Sequence, residues 1–393
     1  MHSCLRSNPS CPAGFIHYWR GGAFNWGSPV HGGDSLLRCR RGGRLLFRLV
    51  AFGLMGAGCF ALLQSATGRF LSHDLWYLGM DAVQLCGIRQ GRVAGFMFHD
   101  RASFGGALIA IGVLYLWLEQ FPLRAGEAWA WWTFLLSGLS GFGSFLAYLG
   151  YGYLDSWHGL ATLALLPLYI GGLAMTQGSI PFSPKPEFRF NSPSQVWWRT
   201  QLGRGRGLLL STGLGHVAGG ITVLLIGMTR VFVPQDLRYM GLEASDLIAI
   251  SRRLVPLIAH DRAGFGGAGA TCGLLLFRCV WFGRPSRSLW RAVTLAGSAG
   301  FLTAIGVHPL IGYTEFSHLA PAYLGALLFS VGIILCRGPM CHDPCRSMNR
   351  ANCNARTRGF SLPPGEKAGV RASVPLTFPS ADTAPRSCDA LYF

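Results

Sequence analysis

Charge is what this sequence has least of. Only 13% of its 393 residues are Asp, Glu, Lys or Arg, roughly half the ~25% of a typical soluble domain. A chain of this length with so few charges lacks the polar surface to coat a water-soluble globule. The short motifs of common enzymes are missing as well: there is no phosphate-binding P-loop, no HExxH zinc pair, no GxSxG elbow and no dinucleotide fingerprint. The nucleotide-dependent and hydrolytic classes that those motifs carry are left without support. Cysteine forms no framework. Twelve are scattered along the chain, and the densest group, Cys336, Cys341, Cys345 and Cys353 with His342 among them, lacks the CxxC spacing of a structural zinc site. These read as free thiols in a cytoplasmic tail. A cleavable signal peptide is also missing: residues 1–43 are basic and glycine-rich without a short apolar core, so the first apolar run is expected to act as an uncleaved anchor.

What the sequence does have is apolar runs of membrane-spanning length, since about 20 apolar residues cross a bilayer as a helix. Eight such spans are predicted: Leu45–Gln64, Ala102–Leu118, Ala128–Gly150, Trp157–Thr176, Gly207–Thr229, Ala263–Phe282, Val293–Gly312 and Leu319–Cys336. The 54 glycines fit this reading, because small residues let membrane helices approach closely. The formal charge of +17 would suit a nucleic-acid partner, but the basic residues lie in tails and in alternate loops, as they do when they set membrane orientation. The partner expected is therefore the lipid bilayer, with room for other membrane subunits, and not nucleic acid.

The chain is also a duplication. His99-Asp100-Arg101-Ala102-Ser103-Phe104-Gly105-Gly106 returns as His260-Asp261-Arg262-Ala263-Gly264-Phe265-Gly266-Gly267, identical at seven of eight positions. Asp74–Met80 aligns with Asp236–Leu242, Gly141-Phe142 with Gly300-Phe301, and His158 falls opposite His318. The expected architecture is all-α and polytopic, with two tandem parallel four-helix repeats, amphipathic surface helices and disordered tails. Its segments are a basic tail over 1–43, repeat 1 over 44–176, a cytoplasmic linker over 177–206, repeat 2 over 207–336 and a C-terminal tail over 337–393. Four spans per repeat give both copies the same orientation. The Lys and Arg distribution places both termini in the cytoplasm of a plasma-membrane protein. Met80–Phe98 and Leu242–Ala259 mix apolar and polar residues at helical spacing and are predicted to lie on the membrane surface or to roof the bundle.

The residues able to do chemistry collect at the outer ends of the spans. In each octet the Asp is placed to cap the helix that follows, which leaves His99, His260 and the arginines unexplained. An Arg at a helix N-terminus opposes the dipole and needs an anion; Asp155 and Glu315 are the protein candidates. His99, Asp100, Arg101, His260, Asp261 and Arg262 are thus a candidate cofactor-binding set. Asp155-x-x-His158 and Glu315-x-x-His318 each put an acid and an imidazole on one helix face. That pattern either ligates a metal or merely braces a histidine. A transition metal fits Asp155, His158, Glu315 and His318; haem fits less well, because the histidines are placed at helix ends and not along facing seams. Three functions follow: a metal or redox-cofactor module on the outer side, a transporter or permease with its path between the repeats, and a structural or assembly subunit. His216 and His308, in the fifth and seventh spans, have no counterpart in the first half.

Overall fold

A computed structural model describes residues 32–146, 153, 156–178 and 199–341, all within one compact unit, Met1–His342. Among the described residues there are helices and no strands. In chain order they are α1 (Gly32–Thr67), α2 (Ser72–Leu78), α3 (Ala82–Gly87), α4 (Arg92–Leu118), α5 (Ala128–Leu146) and α6 (Ser156–Gln177). Then follow α7 (Gln201–Thr229), α8 (Pro234–Met240), α9 (Ala244–Ile250), α10 (Leu254–Phe282), α11 (Arg287–Ile311) and α12 (Phe316–Cys341). Residues 32–43, 201–206 and 337–341, expected in the tails and linker, belong to helices; the rest of those three segments lies almost wholly outside the described residues.

Seven helical stretches among the described residues are long and apolar enough to cross a membrane. They are α1 from Cys39 onward, the stretch Ala82–Leu123 that holds α3 and α4, and α6, α7, α10, α11 and α12. The third expected span, Ala128–Gly150, is described only as far as Leu146, and α5 is not among the seven.

Two helices form the centre. In their most apolar stretches, 83% of the residues of the α4 segment and 50% of those of α10 are buried, against 11–28% for the other five. The chain spends its remaining apolar surface, such as Leu63, Leu163, Leu302 and Ile334, on outward-facing positions, as a lipid-facing surface requires. α4 packs against α1, α10 and α11, and α10 packs against α7, α4 and α5. The circuit closes through α6 on α1, α12 on α7, α11 on α12 and α5 on α6.

The short helices end where glycine lets them. Gly79 and Gly241 adopt left-handed conformations at the C-termini of α2 and α8. Asp81 then starts α3 by accepting from Gln84 N at 2.7 Å while the Gln84 side chain accepts from Asp81 N. Leu85, Met240 and Leu247 from these short helices bury against Phe96, Met97, Leu257 and Ile258. The expected single surface helices over 80–98 and 242–259 are therefore each two pieces. A short helix packs across the bundle end, and the second half is the buried first turns of α4 or α10. The run Val93–Phe98 is apolar throughout apart from Gly95 and has no polar side to offer water.

This displaces the octets. They do not precede the central helices but sit inside them, two turns from the start. Asp100 and Asp261 therefore cap nothing, contrary to expectation. The glycines do serve close packing. A Cβ on Gly105 would lie 2.8 Å from the Gly58 carbonyl oxygen of α1, and one on Gly266 would lie 2.8 Å from that of Gly220 on α7. Gly105→Ala should lower stability by about 1–3 kcal/mol, the usual penalty of overpacking. Gly56→Ala, one α1 position with open space around it, should not. Thermal unfolding in detergent checks the pair.

Candidate functional site

Where α4 and α10 meet, the two octets exchange ion pairs. Arg101 donates from Nε to Asp261 Oδ2 at 2.9 Å and from Nη1 to Asp74 Oδ2 at 2.7 Å. Arg262 donates to Asp236 and to the Val231 carbonyl, and its Nε lies 3.5 Å from Asp100 Oδ2. Tyr153 OH donates to Asp74 at 2.6 Å and Tyr313 OH to Asp236 at 2.8 Å. Each guanidinium thus holds one Asp from the other octet and one Asp from a short helix of its own half of the chain. The two nets use the same residue types in the same roles.

All six charged residues are buried. Isolated charges at such a place are very costly unless paired and hydrogen-bonded. Asp74, Asp236 and Asp261 have donors. Asp100 does not: it is 1% exposed and neither carboxylate oxygen has a hydrogen-bond donor. Its neighbours are the Arg262 guanidinium and His99 Nδ1, 3.0 Å from Oδ1 but outside hydrogen-bond geometry. Tyr313, between α11 and α12, is held well above the usual phenol range, first by burial and then by the Asp236 carboxylate, so it remains a donor.

The histidines form two groups, and each draws on both halves of the chain. His99 of α4 meets His308 of α11 and His318 of α12. One ligating nitrogen from each lies within 4.8 Å of the other two. The His99 and His308 rings stand edge to face with centroids 4.4 Å apart. His308 is 4% exposed, and neither ring nitrogen has a hydrogen bond; the Ala304 carbonyl one turn back interacts with the ring outside that geometry. In the second group, His158 Nδ1 of α6 lies 2.8 Å from His260 Nε2 of α10.

Neither a protein-family model, nor a curated protein, nor a solved structure matches this chain. The site must speak through its own geometry.

Of the four residues expected to share a metal, His318 and His158 sit in different groups. Glu315 turns away and accepts from Arg238 at 2.5 Å and from Ser317 at 2.7 Å. Those donors, Arg238 first, hold its carboxyl below the ordinary range. Asp155 lies outside the described residues. The octet arginines therefore find Asp74, Asp236 and each other's octet, and Glu315 is partnered by Arg238 instead. Sequence reasoning passed over His308, Asp74 and Asp236 as site residues. Both Asp residues head the second-best matched stretch of the duplication, and His308 is an ionisable residue in an apolar helix; either signal was enough to flag them.

Arg101→Met should cost about 3–5 kcal/mol, because it strands two buried carboxylates. Arg92→Met, at an exposed position, should change stability by no more than about 0.5 kcal/mol. Arg101→Lys should rescue little, since one ammonium cannot reproduce a two-pronged contact. Equilibrium unfolding of the three variants measures this.

Proposed function

We propose that this is a multi-pass membrane protein that binds a transition-metal ion through His99, His308 and His318. The observation that carries the reading is the trio itself: three imidazoles from three helices, their nitrogens within 4.8 Å of one another, one of them buried with both nitrogens unpaired. Buried polar atoms rarely go without partners, and a metal would give these theirs. Three imidazoles suit zinc, copper or nickel, and with zinc such a set leaves a fourth position open. Asp100 serves the site as an orienting carboxylate. With His99 Nδ1 beside it, the Nε2 of that ring is left for the metal. That carboxylate, which faces the Arg262 guanidinium at 3.5 Å, also supplies negative charge next to a cation.

The wider reading follows from the same features. The chain is two tandem four-span repeats, with α5 and α11 as equivalent crossings, both termini in the cytoplasm and the polar layer toward the outer side of the plasma membrane. Its support is the matched octets, the two like-built ion-pair nets and the Lys and Arg distribution. The bilayer is its partner. The permease and assembly-subunit readings have no comparable feature to rest on.

Titrating the purified full-length protein with Co(II), followed by Zn(II) competition, tests the metal. Asp100→Asn should weaken binding about 10- to 100-fold, as loss of an orienting carboxylate does, and His308→Ala should weaken it further. His216→Ala, whose ring bonds the Thr212 carbonyl, should leave binding unchanged. Absence of binding, or binding indifferent to His308→Ala, overturns the proposal.

A further inference from the structure

A group of arginines lies at the end of the bundle away from the octets. α4 runs on into one wide turn, Glu119–Leu123, before the chain reverses into α5. Roughly 30 Å of helix separates the octet of α4 from Glu119, at about 1.5 Å per residue. That is about the thickness of the hydrocarbon core of a bilayer, so Glu119 stands at the opposite boundary. It is 1% exposed. Arg48 of α1 makes a two-pronged contact with it, Nη2 donating to Oε1 at 2.9 Å and Nε to Oε2 at 3.3 Å. Arg44 Nη1 approaches Oε1 at 3.8 Å.

Two more arginines gather there without an acid of their own. Arg40, Arg44 and Arg48 recur every four residues and so share one face of α1. Arg124 follows the wide turn, and Arg40, Arg48 and Arg124 all act on Arg44 electrostatically. Arg40 reaches the same turn, since a Cβ on Gly126 would lie 3.1 Å from its Nη2. Glu127, the next acid along the chain, lies 3.6 Å from Arg284 and accepts from Trp129 at 2.5 Å. Among the described residues neither Arg40 nor Arg124 has a hydrogen bond or an ion pair. Four guanidiniums thus face one carboxylate, and an anion placed among them is favoured. Phosphate suits the planar fork of arginine best.

The surface beside this group favours a lipid over a free ion. Leu45, Leu49 and Phe52 of α1 point outward at helical spacing and are 46–55% exposed, an apolar strip against which acyl chains can lie. We propose that Arg40, Arg44 and Arg124 hold the anionic phosphate headgroup of a lipid, with its chains along Leu45 and Leu49, while Arg48 stays with Glu119. Basic pockets at the ends of membrane helices take such headgroups. The site is at the far end of the bundle from the histidine trio and does not depend on the metal reading.

The test titrates delipidated full-length protein in neutral detergent with phosphatidic acid, and separately with phosphatidylcholine of the same chains, counting bound lipid by native mass spectrometry. One phosphatidic acid should bind about 30-fold more tightly than phosphatidylcholine, roughly fivefold for each of the two arginines that lack an acid. Arg40→Gln with Arg124→Gln should abolish that preference. Arg124→Gln alone, at an exposed turn, should lower it about fivefold. Arg287→Gln with Arg291→Gln removes the same charge from exposed positions at the start of α11 and should leave it unchanged. No preference in the unmutated protein, a preference that survives Arg40→Gln with Arg124→Gln, or one lost equally in the α11 variant would each overturn the proposal. So would displacement of the lipid by 10 mM inorganic phosphate, on the order of a free-anion site's need, because the site would then hold a free anion.

Discussion

Two arginines facing four carboxylates across a helix crossing are the constraint on which this structure depends. A guanidinium and a carboxylate buried within an apolar bundle are tolerable only when their hydrogen bonds are made. Arg101 can bond Asp261, and Arg262 can face Asp100, only if α4 and α10 lie side by side, and the short helices fold back to deliver Asp74 and Asp236. The polar layer thus specifies the register of the two central helices and the placement of α2 and α8. The glycines do the rest: Gly105 and Gly266 let α1 and α7 press against the same helices closely enough to shut the layer in.

Two nets built to one pattern carry two different histidine groups. His99 and His260 hold equivalent places in their octets, and His318 and His158 reach them from equivalent helices. The difference is His308. On its side a third imidazole turns a pair into a set with metal-ligand spacing, while on the other side two rings are left to share a hydrogen bond. Two similar nets, one with an added imidazole, thus carry histidine groups of different geometry. Both sites join the halves, since every histidine of one octet meets histidines from the opposite half.

Much of this was legible in the residues and some was not. The apolar runs announced the helices, and the repeated octet pointed to residues that are buried where α4 crosses α10. The limits of the helices were misplaced because charge was read as a boundary. His99, Asp100 and Arg101 looked like the polar edge of a span beginning at Ala102, whereas α4 starts at Arg92 and carries them inside. A paired charge does not end a helix, and the pairing partners lie 27 and 160 positions away. The same distance hid the sites. Glu315 and His318 are neighbours by spacing, yet Glu315 answers Arg238 at the surface while His318 turns to His99.

The amino-acid sequence by itself determined the helical class and the apolar surface, because these follow from local periodicity and from the cost of placing backbone and charge in an apolar medium. Tertiary structure alone decided which carboxylate meets which guanidinium and which imidazoles meet one another. Those contacts depend on the crossing of α4 with α10 and on α11 and α12 returning to α4, and no local pattern encodes the angle or depth at which helices distant in the chain will touch.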